Sequence, residues 1–174
     1  MHSFTDLVDR CAVFTIDNLN KVNEKTIKEL RTSGATSLVK TLQMIRLQKT
    51  IFSVGMFSIF ESILQEGLSC INGFDEAKKI LDEEGEVDIK TRFNNLILAI
   101  NVLKHGRGHS YDALVVNAKS LPFKIKLPEE TFFFEGDVSE VSTLIQVDDA
   151  FVELCGDIIR EVTVVIRRVR SEFF

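Results

Sequence analysis

Residues 48–68 read QKTIFSVGMFSIFESILQEGL. From Ile51 to Leu64 this stretch is apolar on nearly all sides of a helix. A helix of that kind usually lies at the centre of a bundle, where neighbouring helices cover most of its faces. The most apolar part, residues 51–60, is bounded by Lys49 and Glu61 and is far shorter than the roughly 20 apolar residues that a membrane span needs. The stretch therefore predicts the central helix of a bundle.

Further helical patterns surround this one. Apolar residues recur at three- and four-residue steps, which places them on one face of a helix, over residues 4–32, 36–71, 74–84, 88–104 and 148–172. The last pattern begins with Asp148 and Asp149 and ends with several arginines, and both charges suit the helix dipole. The length of 174 residues is typical of one domain. The chain is thus predicted to be mainly α, a single domain over residues 1–174 that folds as an up-and-down bundle of four to five helices.

Residues 121–147 differ in character from the rest of the chain. LPFKIKLP alternates apolar and polar residues, TFFFEGD and VSTLIQV are rich in aromatic and β-branched residues, and EGD suits a turn. This pattern predicts a small β-hairpin inserted before the last helix. Just upstream, SYDALVVNAKS is ambiguous between helix and strand.

Composition and cysteine usage limit the class of protein. The formal net charge is −5, so any contact with nucleic acid must come from a local basic patch. Cys11, Cys70 and Cys155 lie far apart in apolar surroundings and show no CxxC or CxxxH spacing, which predicts buried free thiols and no metal site. No basic start followed by an apolar run indicates a signal peptide. We therefore expect a cytoplasmic protein without a membrane span, metal or cofactor.

The residues best suited to chemistry lie in INVLKHGRGHSYDALVV at 100–116. Within six residues come Lys104, His105, Arg107 and His109, which include two of the three histidines of the chain. Histidine acts as an acid or a base near neutral pH, and lysine and arginine hold phosphate. Such a set suits metal-independent cleavage of RNA, which needs one group to take the 2′-hydroxyl proton and another to protonate the leaving oxygen. The alternative is that these residues only cap the helix end.

Three more residues complete the predicted site. Asn101 lies one helical turn before His105 on a stripe apart from the core face, so we expect it to orient His105 or to contact phosphate. Glu61 lies in an apolar run and is expected either to support His105 or a cation, or to pair with a lysine or arginine of a neighbouring helix. Tyr111 is expected either to stack on a base or to pack in the core. The predicted site then consists of His105 and Asn101 for catalysis, Lys104, Arg107, His109 and Tyr111 for RNA binding, and Glu61 in support.

The helix at 48–68, with its Phe60–Glu61 step, and the later INVLKHG resemble the two signature helices of HEPN (higher eukaryote and prokaryote nucleotide-binding) domains. The likeness covers roughly residues 36–120. It implies an all-α bundle that forms a homodimer, and an RNase or RNA-binding function in toxin–antitoxin or other defence systems. In that family the active sites are typically formed where two copies of the motif meet across the dimer.

The motif that carries the resemblance is degenerate in this chain. The family places an arginine before the histidine, with four to six residues between them. His105 matches the histidine, but Leu98, Ala99 and Ile100 stand at the three arginine positions. Arg92 lies thirteen residues before His105 and on another side of the helix, so it does not replace the missing residue.

Two functional hypotheses follow. The first is a HEPN-like homodimer that binds RNA and cleaves it without a metal ion, in a toxin–antitoxin or other defence setting. The second is a non-catalytic helical dimer that holds a protein partner such as an antitoxin. The basic cluster around His105 favours the first, and the missing arginine favours the second.

Overall fold

The protein, seen in a computed structural model that describes residues 4–170 and 172–173, is built from helices. Within those residues lie six α-helices and one short 3-10 turn at Ala118–Ser120. The helices are α1 (Phe4–Leu30), α2 (Thr36–Gly67), α3 (Gly73–Glu83), α4 (Val87–His105), α5 (His109–Val116) and α6 (Asp149–Val169). The predicted mainly-α class is confirmed. The predicted number of helices is too low by one, because the ambiguous segment after His109 is helical.

Helices α2 and α6 form the centre of the bundle. Helix α6 contacts α1, α2, α3 and α4, and α2 contacts α1, α3, α4 and α6. The apolar stripe predicted for the last helix is buried at Phe151, Cys155, Ile158, Val162 and Val165. Asp148 caps the helix as its carboxylate accepts from the Phe151 amide at 3.0 Å. The apolar face predicted for α6 is thus the face that packs in the core.

An aromatic cluster joins α2, α3 and α4. The rings of Phe57 and Phe93 stack at 6.4 Å, and Phe74 meets Phe93 edge-on at 5.5 Å. Phe60 packs against Phe93 as well, at 6.2 Å. Each such pair contributes about 0.5–1.5 kcal/mol beyond the burial of its area. The cluster therefore holds α4 firmly against α2, and the surface between these two helices is the one that carries the predicted site.

The prediction that neighbours cover most faces of α2 is only partly right. Phe57, Phe60 and Leu64 are fully buried, but Ile51 and Ile59 are 59% and 55% exposed. Met44 and Leu47 lie on the same outward face and are exposed too. Between them, a Cβ built at Gly55 would meet nothing within 4 Å. One apolar face of α2 is thus uncovered, because no helix of residues 4–170 covers that side.

The predicted apolar stripe of α1 is also divided between core and surface. Val8 and Ala12 are buried, whereas Leu7, Cys11 and Phe14 are exposed. A helix at the edge of a bundle buries only the side that faces its neighbours, here α2 and α6. The expectation of three buried thiols is therefore wrong: Cys11 is exposed and Cys70 half-buried, and only Cys155 is buried, although all three are free.

The predicted β-hairpin at 121–147 is not formed. Ile125 and Ile145 make a single antiparallel bridge, flanked by the Lys126 N–H to Leu144 carbonyl bond at 2.8 Å and the Gln146 N–H to Lys124 carbonyl bond at 3.0 Å. Ladder donors recur at every second residue, so beyond Lys124 and Lys126 the donors that would extend the ladder in either direction are residues 122 and 128. Both are proline and have no N–H to donate. The ladder therefore ends after one bridge, and the segment folds as an irregular loop.

Candidate functional site

The end of α4 and the start of α5 lie side by side because the chain reverses between them. Gly106 adopts φ +76°, a left-handed conformation that glycine tolerates best, and its N–H still bonds to the Val102 carbonyl at 2.8 Å. Helix α5 then begins at His109, with no side chain capping its first turn. The reversal places His105, the last residue of α4, beside the N-terminus of α5.

A polar groove of about 390 Å³ lies between α2, α3, α4 and the start of α5. We call it the central groove. Its floor is apolar and includes Phe57, Ile97 and Ile100. Its walls are polar and include Ser58, Glu61, Asn72, Asp75, Lys78, Asn94, Asn101, Lys104, His109 and Ser110. The fold thus brings Glu61 of α2 into one concave surface with Asn101, Lys104 and His109.

A second, smaller groove of about 230 Å³ continues the central groove around the end of α4. We call it the end groove. It is lined by Asn101, His105, Gly106, Arg107, Gly108, His109 and Ser110. Asn101, His109 and Ser110 line both grooves. The two grooves therefore form one continuous surface with Asn101 and His109 at the junction and His105 at the far end.

The key polar side chains of this surface have no protein partner in the described part of the chain. Asn101, Lys104, His105 and His109 make no side-chain hydrogen bond or ion pair there, and the half-buried Glu61 has no lysine or arginine partner. Amide, ammonium, imidazole and carboxylate groups in such a groove are hydrated, and a ligand that displaces this water must replace its hydrogen bonds. The concave surface is therefore chemically suited to a polar ligand that carries both donors and acceptors.

Arg107 and Tyr111 are engaged within the protein. The Arg107 guanidinium donates to the Pro128 carbonyl at 3.2 Å and lies 5.4 Å from the centre of the Tyr111 ring. Tyr111 is only 3% exposed, and its hydroxyl donates to the Lys126 carbonyl at 2.7 Å. Burial raises the pKa of this hydroxyl, although the charge of Arg107 opposes the shift. Tyr111 therefore packs in the core, the second of its two expected roles, and its ring has no open face on which a base could stack.

Arg92 is bound on the side of α4 that faces α6. Its guanidinium donates to Asp88 at 2.8 Å and forms a two-pronged contact with Glu161. These bonds raise its pKa further, with the hydrogen bond to Glu161 as the largest cause. Arg92 lines neither groove. It is a structural link between α4 and α6, in agreement with the expectation that it does not replace the missing motif arginine.

Several groove residues were not predicted from the sequence. Ser58 lies in α2, Lys78 in α3 and Asn72 just before α3, all far from residues 100–116 along the chain. Ser58 precedes Glu61 by one helical turn, so its spacing was a usable signal. No local pattern marks Asn72, which caps α3 by accepting from the Asp75 amide at 3.1 Å. Its presence in the groove follows only from how α3 packs.

Two features of the described residues concern metal binding and membrane insertion. In residues 4–170 and 172–173, no three His, Cys, Asp or Glu side chains gather in a way that would hold a metal ion. Nor does any helix in these residues combine the length and the apolar composition needed to cross a bilayer.

Comparison with known proteins adds no relative on which to base an assignment. The chain matches no protein-family model, no curated protein and no solved structure. The resemblance to HEPN domains therefore remains a hypothesis that rests on two short sequence motifs.

Proposed function

We propose that the central and end grooves bind RNA and that His105 cleaves it without a metal ion. The observation that carries this proposal is the continuous concave surface on which Lys104, His105, His109 and Asn101 lie without protein partners. The first amide groups of α5 add to it, because an uncapped helix N-terminus attracts anions. A phosphate in the end groove would contact imidazole and amide groups together, with the ammonium group of Lys104 in the adjoining central groove.

In the proposed reaction, the 2′-oxygen of a ribose attacks the adjacent phosphorus and the 5′-oxygen leaves. His105 takes the proton of the 2′-hydroxyl, and His109, which lines the same end groove, protonates the leaving oxygen. Lys104 stabilises the charge that develops on the phosphate, and Asn101 orients His105 or binds a phosphate oxygen. The products are a 2′,3′-cyclic phosphate and a 5′-hydroxyl, so neither water nor a metal ion takes part in this step.

The same proposal includes a homodimer in a toxin–antitoxin or other defence setting. The exposed face of α2, with Ile51 and Ile59 on either side of Gly55, has open space at the glycine for close approach of a second helix. Two copies related by a two-fold axis would each present this face to the other. Ser58 belongs both to α2 near this face and to the central groove, so the dimer would place the two grooves on either side of its interface.

A second function is favoured by a different observation. Phe14 of α1 is 71% exposed, and with Leu7 it forms an apolar patch separate from the grooves. Exposed apolar patches of this kind often mark a surface for a protein partner. In that reading the protein is a non-catalytic helical dimer that binds a partner such as an antitoxin, and the cluster at His105 only caps α4.

One experiment separates these functions. Labelled single-stranded RNA is incubated with the wild type and with His105→Ala in EDTA at low salt. We expect the wild type to bind and to release fragments with 2′,3′-cyclic phosphate ends, and the variant to bind without cleaving. If the wild type binds no RNA, and His105→Ala lowers the melting temperature, the site is a helix cap and the second function stands.

A further inference from the structure

A third groove adjoins the central groove on the side away from His105. It has a volume of about 510 Å³ and lies between α3 and α4. Three of its lining residues are the lysines Lys78, Lys79 and Lys90, and we call it the lysine groove. Lys78 and Asn94 line both this groove and the central groove. The lysine, central and end grooves thus form one channel along α4, which covers about 22 Å from Lys90 to His105 at the rise of an α-helix.

The cations of the lysine groove are paired with carboxylates on the surface. Lys90 contacts Asp82 at 2.6 Å, Lys79 contacts Glu76 at 2.9 Å, and Lys78 contacts Asp75 at 2.8 Å. Exposed pairs of this kind contribute little to stability, so a ligand phosphate can take the place of the carboxylate. The pairs therefore do not remove the lysines from use by a ligand, but each carboxylate competes with it.

The wall of the channel also carries a row of side-chain amides. The channel is lined by three asparagines of α4, Asn94, Asn95 and Asn101. The side chains of these residues make no hydrogen bond to another described residue. An amide offers one acceptor and two donors, which match the edges of nucleic-acid bases. In a duplex those edges are occupied by base pairing, whereas in a single strand they are open to the protein.

We infer that the channel binds an unpaired strand of RNA, with the reacting nucleotide at His105 and the phosphates further along the strand at Lys79 and Lys90. This inference rests on the proposed function of the central and end grooves. The amides of α4 then contact base edges, and the lysines of α3 and α4 contact the backbone. Binding should tighten with the length of the strand until the lysine groove is filled.

Because Lys90 is paired with Asp82, substitutions of these two residues should change RNA affinity in opposite directions. Lys90→Glu removes a phosphate contact and adds a repelling charge, so it should weaken the binding of a long strand. Asp82→Asn removes the carboxylate that competes for Lys90, so it should strengthen binding. We expect a change of about fivefold in each direction, which is the size of one exposed charge contact. Short strands that reach only the end groove should be affected by neither substitution.

The test is a fluorescence anisotropy titration at low salt with 2′-O-methyl RNA, which lacks the hydroxyl needed for cleavage. The probes are a four-nucleotide strand, a fifteen-nucleotide strand and the fifteen-base-pair duplex. The matched control is Asp157→Asn, which removes a carboxylate from a comparable pair with Arg160 at 2.7 Å outside the channel and changes the net charge equally. We expect the wild type to bind the long strand at least about fivefold tighter than the other two probes. Lys90→Glu should cancel that difference and Asp82→Asn should increase it. The control Asp157→Asn should leave it unchanged.

Other outcomes overturn the inference in distinguishable ways. Equal affinity for the short and the long strand, unaffected by Lys90→Glu, would disprove the channel and leave the site at His105 intact. Duplex binding as tight as that of the long strand would disprove the preference for unpaired RNA. An equal gain from Asp82→Asn and Asp157→Asn would show that net charge, and not the channel, sets the affinity. If the wild type binds none of the probes, the proposed function and the channel fail together.

Discussion

The ammonium group of Lys126 lies 3.0 Å from Oε2 of Glu140, and less than a tenth of either side chain is exposed. The same ammonium lies 4.6 Å from the centre of the Phe133 ring, and Oε1 of Glu140 accepts from the Phe134 amide at 2.7 Å. This buried pair joins the two sides of the loop at 121–147. The Lys126 carbonyl also accepts from the Tyr111 hydroxyl, and the Pro128 carbonyl of the same loop accepts from Arg107. Both contacts therefore depend on a loop conformation that the buried pair stabilises.

Breaking the buried pair should destabilise the protein strongly. Glu140→Gln leaves the Lys126 ammonium without a counter-ion, and Lys126→Met leaves the carboxylate alone. We expect either change to lower the free energy of unfolding in urea by about 3–5 kcal/mol. The double variant Lys126→Met/Glu140→Leu removes both charges and should recover most of that loss. A double variant as unstable as the single ones would contradict this, and Arg168→Ala, at an exposed pair, is the control that should change little.

His105→Ala should abolish RNA cleavage and leave the fold intact. The side chain is exposed at the end of α4 and makes no bond within the described residues, so its removal should change the unfolding free energy by less than about 0.5 kcal/mol. Loss of an acid–base group should reduce the cleavage rate at least about 100-fold. His109→Ala should slow cleavage in the same way if it protonates the leaving oxygen. Normal cleavage by His105→Ala, measured by single-turnover kinetics, would remove it from the mechanism.

Replacing Lys104 should weaken RNA binding, whereas replacing Arg107 should lower the stability of the protein. Lys104 has no protein partner, so Lys104→Ala should reduce the slope of log affinity against log salt by about 0.7, the value for one phosphate contact of a single strand. Arg107 is bound to Pro128 and lies against Tyr111, so Arg107→Ala should lower the unfolding free energy by about 1 kcal/mol. RNA titrations at several salt concentrations and urea denaturation of both variants distinguish the two roles. A salt slope unchanged in Lys104→Ala would exclude a phosphate contact there.

Ile51→Glu should convert the proposed dimer into a monomer. The substitution places a charge in the middle of the exposed face of α2, where a second copy would have to bury it. Light scattering at micromolar concentration should show the wild type as a dimer and the variant as a monomer with unchanged helix content. Val164→Glu is the matched control, because Val164 is 62% exposed on α6 and lies outside that face. A wild type that is already monomeric would refute the dimer.

Helix type and position were predictable wherever the apolar period was long. The pattern of α4 identified its helix to within one residue at each end, and that of α6 to within one residue at its start and three at its end, because the period of 3.6 is a local property of the chain. The predicted hairpin at 121–147 is wrong for an equally local reason. Pro122 and Pro128 stand at the two positions whose N–H groups would have extended the ladder beyond Lys124 and Lys126.

The candidate site was predictable only in part. His105, Asn101 and Lys104 share one end of one helix, so their proximity follows from helical spacing. The burial of Tyr111 does not follow from its sequence, because it depends on the Lys126 carbonyl fifteen residues later. The same holds for Arg107, which a carbonyl of the loop holds in place.

The sequence by itself determined the helices, the basic cluster after α4 and the absence of a motif arginine at residues 98–100, since all three depend on neighbouring residues alone. Only the tertiary structure decided which apolar faces are covered, that Glu61 shares a groove with Lys104 and His109, and that α3 extends this groove with its lysines. The reason is physical: a helix's own residues define its faces, but the neighbours that cover them or leave a groove between them are fixed by packing between distant segments.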